Sequence, residues 1–233
     1  MRRTDTLSLC TGWYKIPIGT IIVKLECDNL RGGTLERGRP RIFDEEQALD
    51  AALGVFWRNG YQGASLDELT RAMGINKPSL YAAFGNKEKL YLRALERYRD
   101  QQLTKHAAAM AAEPQLKKAM RKFLRSVATM LTAPELPGGC MAVNNAVTCG
   151  VTALPERVGA AIGKVFEEAV FGLLKQRLEK ELKQRNLPKS TSVEQLADYF
   201  TVIMSGMAVM SKVGVTQKRL FSTIELALGV LPT

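Results

Sequence analysis

Four side chains in one short stretch have the chemistry to grip a polyanion. Lys77, Ser79 and Tyr81 offer a cation, a hydroxyl and a phenol, and Lys87 adds a second cation a few residues on. Such groups reach phosphate oxygens or base edges in a nucleic-acid groove. Lys87 falls at the first position of an expected helix, so its ammonium and that helix's free N–H groups converge on one anion site. Ser65 and Pro78 stand at the starts of the two helices before it and join the same DNA-binding set. Upstream, Arg37-Gly38-Arg39-Pro40-Arg41 is a flexible basic run. Arg39 and Arg41 either enter a minor groove, where negative potential favours arginine, or form a solvated charge run.

The elements that must hold these groups are legible in the stretch SLDELTRAMGINKPSLYAAFGNKEK, Ser65 to Lys89. Ser65 can cap a first helix, with Glu68 completing a capping box. Leu66, Leu69, Ala72 and Met73 recur at helical spacing. Gly74 sits where a helix stop needs positive φ. Asn76 caps a second helix with Pro78 in its first turn, and Ile75 and Leu80 are placed for a hydrophobic staple. Leu80 and Phe84 point to one side as anchors, leaving Lys77, Ser79 and Tyr81 outward. Gly85 ends this helix and Asn86 caps a third. Two short helices across such a turn form a helix-turn-helix, whose second helix can lie in the DNA major groove.

At this level the sequence resembles the TetR/AcrR family of bacterial transcriptional regulators. The resemblance rests on AMGINKPSLYAAFGNKEKLY, with its Gly74 turn, Ser79-Leu80-Tyr81 run, Phe84, and Lys87-Glu88 followed by Leu90. The preceding GRPRIFDEEQALDAALGVFWRNGYQGASLDEL is similar to the family's first helix and Gly60–Gly63 turn. The close match covers about residues 37–92; the remainder matches in length and helical character. Many members carry Tyr or His where this chain has Ala82 and Ala83, which shifts backbone contact toward Lys77, Ser79, Tyr81 and Lys87. The resemblance implies a homodimeric repressor that binds a palindromic operator and is released when a small molecule enters its second domain and tilts the helix that starts at Lys87.

Composition agrees. The chain has 233 residues, 46% hydrophobic and 24% charged, with net charge +10. That supports a packed core and a polyanionic partner, although acids are interleaved with the bases. An enzyme lacks support: there is one histidine, His106, with no Ser/His/Asp set, metal spacing or Gly-rich phosphate loop. No cofactor is implied. The cysteines, Cys10, Cys27, Cys140 and Cys149, read as free thiols of a cytoplasmic protein that is nucleoid-associated when bound to DNA. No apolar run approaches the ~18 residues of a membrane span.

The expected organisation is all-α. Residues 1–36 read as an appended, mostly disordered extension, with a functional arm as the alternative. Residues 37–87 form a three-helix DNA-binding domain, and residues 88–233 a helical ligand-binding and dimerisation domain. Helices are expected over Asp44–Asn59, Asn86 to about Ala112, Leu116–Leu131, Cys140–Cys149, Pro155 to about Gln184, Ser192 to about Lys212, and Gln217–Leu228, the last capped by Thr216. Candidate ligand-binding residues are Phe123, Val127, Met141, Asn144, Asn145, Phe166, Met204 and Met207. For Asn144 and Asn145 the alternative is plain core with satisfied amides, and for the methionines core or interface. Ser205, Gly206 and Ala208 allow close helix contact, so a homodimer interface is expected within residues 192–230. A further alternative keeps the DNA binding but switches it through a thiol, Cys140 or Cys149.

Overall fold

The computed structural model describes residues 43–150 and 153–232, the side chains of residues 148 and 149 excepted. The expectations for residues 1–36 and for Arg39 and Arg41 lie outside them. Every regular element described is helical: α1 (Glu45–Gly63), α2 (Leu66–Met73), α3 (Lys77–Phe84), α4 (Lys87–Ala111), α5 (Leu116–Leu131), α6 (Met141–Cys149), α7 (Glu156–Lys164), a π-helical segment (Val165–Phe171), α8 (Gly172–Lys183), α9 (Val193–Lys212), α10 (Gln217–Ala227) and a terminal 3₁₀ turn (Leu228–Val230).

Local chemistry sets most of these boundaries. Asp44 caps α1, its Oδ1 accepting from the amides of Glu46 at 2.8 Å and Gln47 at 3.2 Å. Ser65 Oγ accepts from Glu68 N at 3.1 Å. The expected capping box is only half made, because the Glu68 carboxylate accepts instead from Asn59 Nδ2 at 2.7 Å. Thr216 precedes α10 but its side chain makes no cap bond, and α10 closes at Ala227 before the 3₁₀ turn. The helix expected from Pro155 to Gln184 is continuous in path but widens to π geometry over Val165–Phe171. A π-bulge loosens the regular hydrogen-bond ladder and is often found at functional sites.

α1 contains a break. Gly60 has φ 71° and ψ 178°, a conformation open essentially to glycine alone. In an unbroken helix the Tyr61 amide would donate to the Trp57 carbonyl. Here the two halves of that bond are separated, and two side chains of α6 take them up. Tyr61 N donates to Asn145 Oδ1 at 2.7 Å, and Asn144 Nδ2 donates to Trp57 O at 3.2 Å. Trp57 Nε1 adds a bond to Gly139 O at 3.0 Å. α6 is thereby stitched into the broken turn of α1.

α1 packs on α2, α4 and α6, and α4 continues onto α5, so one hydrophobic core runs from Phe56 and Leu80 through Tyr91 and Leu95 to Phe123, Leu174 and Phe200. The turn between α4 and α5 is held from α8. Arg177 donates to the carbonyls of Met110 at 3.0 Å, Glu113 at 3.0 Å and Pro114 at 2.9 Å, and pairs with Glu181 at 2.8 Å. Asn186 donates to the second oxygen of Glu181 at 2.7 Å. The pair is buried but fully hydrogen-bonded, as buried charge requires.

Candidate functional site

α3 is a two-turn helix held from behind. Leu80 is wholly buried and Phe84 nearly so. Arg93 lies over the Phe84 ring at 4.7 Å, clamping the end of α3 to α4. At the front of the motif, Gly74 adopts the left-handed conformation at φ 66°, and Ile75 N closes the turn on Thr70 O at 3.1 Å. Asn76 Oδ1 then accepts from Ser79 N at 2.8 Å. These bonds fix the angle between α2 and α3 from both sides of the turn.

The outward face carries the expected groups. Tyr81 is half exposed, Ser79 is half-buried, and Pro78 is exposed in the first turn of α3. Lys77 Nζ is 2.7 Å from Asp67 Oδ1, an ion pair on the surface that bridges α2 and α3. Its hydrogen bond raises the Lys77 pKa and lowers that of Asp67. Ser65 is exposed, with its oxygen committed to the α2 cap and its own O–H still able to donate outward. Lys87 stands at the first position of α4, after the Asn86 cap, whose Oδ1 accepts from Lys89 N at 2.8 Å. Its ammonium rests 4.7 Å over the Tyr61 ring, and partial burial lowers its pKa from the ordinary lysine value. Lys77, Ser79, Pro78 and Tyr81 therefore share α3, with Ser65 and Lys87 at the starts of the flanking helices.

A cavity lies among α4, α5, α6, the π segment and α9. It encloses about 520 Å³ between its walls, mouth included. Of the residues expected to bind a ligand, Val127, Phe166 and Met204 line it. Phe123, Met141, Asn144, Asn145 and Met207 do not. Phe123, Met141 and Met207 are buried in the core. Asn144 and Asn145 are occupied by the α1 stitch: Asn145 also donates to Met141 O at 2.8 Å and Asn144 to Gly138 O at 3.3 Å. Their place is the alternative considered for them, core amides with partners.

Tyr98, Gln102 and His106 line the cavity from α4, and Cys140, Thr201 and Ser205 add polar atoms from elsewhere. The first three were missed although they are spaced four apart, one stripe along α4. Tyr98 is buried, its ring edge-on to Trp57 with centroids 4.7 Å apart, and its hydroxyl donates to Cys140 Sγ at 3.3 Å. Burial raises the Tyr98 pKa well above its usual value. His106 Nδ1 is 2.8 Å from Ser126 Oγ. Burial, with a smaller contribution from Lys105, pushes the His106 pKa down to about 4, so the ring is neutral at pH 7. Among the described residues no cluster of His, Cys, Asp and Glu is placed to hold a metal, and no helix is long and apolar enough to cross a membrane.

Comparison with known proteins bears on this arrangement. Residues 48–94 match the family model for bacterial regulatory proteins of the tetR family, and residues 116–223 match the tetracyclin repressor-like C-terminal domain. The chain is 31% identical over 198 residues to the HTH-type transcriptional repressor ComR of Escherichia coli (strain K12), covering 84% of this chain and 92% of that protein. It is 30% identical over 200 residues to the HTH-type regulator YezE of Bacillus subtilis (strain 168), covering 83% of this chain and 99% of that one. Among solved structures, a cysteine mutant of the TetR family regulator CifR complexed with 26-bp double-strand operator DNA superposes with a TM-score of 0.78 at 35% identity. That match covers 84% of this chain and all of the other. With a helix-turn-helix built on residues 65–84 and both halves matched, the chain belongs to the TetR family and is a DNA-binding transcriptional regulator.

Proposed function

We propose that the protein is a cytoplasmic homodimeric repressor of a palindromic operator, released when a small molecule occupies the cavity. One observation carries the reading: α4 begins at Lys87 beside the DNA-facing helix and, further along, lines the cavity with Tyr98, Gln102, Leu103 and His106. A ligand that moves α4 or Tyr98 acts on the groups that face DNA. Tyr98 bears on Trp57, Trp57 on the α1–α6 stitch, and Tyr61 beyond the break carries Lys87 on its ring. Arg39, Arg41, Ser65, Lys77, Pro78, Ser79, Tyr81 and Lys87 form the proposed DNA contact set.

Dimerisation through residues 192–230 is supported by exposed apolar side chains on α9 and α10. Val202 is 68% and Leu226 82% exposed, and Val209 and Met210 extend the patch. Val202, Met210 and Leu226 line one open groove between α9 and α10, and exposed apolar surface of this kind marks an interface. The dimer would set two α3 helices in successive major grooves about 34–36 Å apart. Release requires only that the ligand prefer one spacing of the two helices over the other by a few kcal/mol.

The decisive experiment maps bound sites across the genome by footprinting, then measures affinity for those duplexes by fluorescence anisotropy. A two-half-site sequence bound well above random competitor is expected. Equal affinity for all duplexes at moderate ionic strength would overturn the reading.

A second reading, a thiol switch, is favoured by the position of Cys140 on the cavity wall under the Tyr98 hydroxyl. Cys140 stands just before the first residue of α6 and Cys149 is its last, so their backbones lie about 13–14 Å apart, too far for a mutual disulfide while the helix holds. Alkylation of both Cys140 and Cys149 with no change in operator affinity would eliminate this reading.

A further inference from the structure

The cavity wall restricts what can bind there. Its lining includes no Asp, Glu, Lys or Arg. A carboxylate or an ammonium ion would enter without a counter-charge, at a large desolvation cost. Most of the wall is aliphatic or aromatic, with Met130 and Met204 as adaptable surfaces. The cavity encloses about 520 Å³, mouth included, which limits it to a small molecule.

The polar side chains on the wall differ in burial and in partners, and Gln102 and Ser205 are only half-buried. Thr201 Oγ1 donates to Ala197 O at 2.8 Å, and the Tyr98 hydroxyl donates to Cys140 Sγ. His106 differs. The residue is 4% exposed, and Nδ1 is engaged by Ser126, which lies outside the lining. Nε2, on the other edge of the ring, is buried with no hydrogen-bond partner. A buried polar atom left unmatched costs free energy that a ligand bond recovers. Whichever tautomer Ser126 selects, a hydroxyl can answer it, since it both donates and accepts.

Resting on the reading of this cavity as an effector site, we infer that the effector is a small, uncharged, largely apolar molecule with one hydroxyl group, bound with that hydroxyl on Nε2 of His106. Alkanols and simple phenols fit this description, and fatty acids and alkylamines do not.

His106 is the sole histidine of the chain, so ¹⁵N-histidine labelling gives a single imidazole spectrum in the intact protein. Titration with 1-hexanol at pH 7 should move the Nε2 resonance saturably. Hexanoate at the same concentrations should not. His106→Phe, which keeps an aromatic ring, somewhat larger than imidazole, and deletes both nitrogens, should weaken 1-hexanol binding about tenfold or more by calorimetry. No saturable shift, an equal shift with hexanoate, or undiminished binding by a folded His106→Phe protein would each overturn the assignment. If that variant does not fold, the wild-type spectrum decides alone. Operator affinity measured on the same samples separates the two readings. A hexanol-dependent shift with unchanged operator affinity supports this site and removes effector release. Release by hexanol without the shift removes the His106 contact and keeps effector release.

Discussion

Asn145→Ala tests the junction between the two halves of the molecule. Asn145 is 1% exposed and accepts the Tyr61 amide at 2.7 Å, a donor set free by the break at Gly60. Alanine removes the acceptor and leaves that amide, half-buried against α6, without a replacement from its own helix. An orphaned donor of this kind costs about 1–3 kcal/mol, which urea denaturation followed by far-UV circular dichroism resolves. A double-mutant cycle sharpens the assignment. A Cβ on Gly60 would stand 3.3 Å from Asn145 Oδ1, on a backbone that disfavours any side chain. Once Asn145 is gone, alanine at 60 is free to restore a continuous helix. The two substitutions should therefore be non-additive by more than about 0.5 kcal/mol, with the double variant less destabilised than the sum. The functional readout is operator affinity with and without effector. If the stitch carries force between cavity and DNA, the coupling between the two ligands should fall by about 0.5–2 kcal/mol in Asn145→Ala. An unchanged denaturation midpoint together with unchanged coupling would refute the role given to the stitch.

Other outcomes follow from single contacts. Lys87→Ala should weaken binding to every duplex and flatten the salt dependence by about one unit of slope, read from anisotropy titrations over a salt series. Asp67→Asn removes the partner of Lys77 and a negative charge beside the proposed contact set; affinity for all duplexes should rise, with stability changed by no more than about 0.5 kcal/mol because the pair is solvent-exposed. Arg177→Met leaves Glu181 buried without its cation and removes the side-chain donor from the carbonyls of Met110, Glu113 and Pro114, so thermal unfolding should show a loss of about 3–5 kcal/mol. For pH, the folded His106 pKa of about 4 lies below its ordinary 6.5, so the unfolded chain takes up its proton first as pH falls. The stabilisation from the neutral buried ring is complete above about pH 6.5 and is lost between there and about pH 4. The loss amounts to about 3 kcal/mol. Wild type should therefore lose that much more than His106→Gln over this window, the carboxylates titrating alike in both.

The DNA-facing half was legible because its determinants are local. Ser65, Asn76 and Asn86 each bond an amide three residues on, and Gly74 stops a helix through its own φ, so partner and signal lie in one window of sequence. The alternation of Leu80 and Phe84 with Lys77, Ser79 and Tyr81 sorted α3 into a buried and an open side. Departures arose where a distant group competed for the same atom. Glu68 was expected to reach back to the Ser65 amide, but Asn59, nine residues upstream, offers its carboxylate a side-chain donor instead. The π segment had no local marker, since VFEEAVF satisfies an ordinary helical pattern. Its Val165, Phe166 and Val170 all face the cavity, which several other elements also line.

Asn144 and Asn145 show what a sequence alone withholds about polar residues in an apolar helix. Two adjacent amides in CMAVNNAVTC suit a ligand and a backbone gap equally well, and their partner at the Gly60 break lies 84 residues away from Asn145. The break and the amides explain each other only when seen together, because glycine at 60 opens the turn and the asparagines close its hydrogen bonds. A continuous α1 would need no hydrogen-bond partner from α6. The interruption makes the end of α1 depend on where α6 sits, and Cys140, on the cavity wall, is the residue from which α6 starts. On the proposed reading, a ligand that displaced the Cys140–Tyr98 contact would have a route into the DNA-binding helices that does not depend on tilting α4 as a rigid rod.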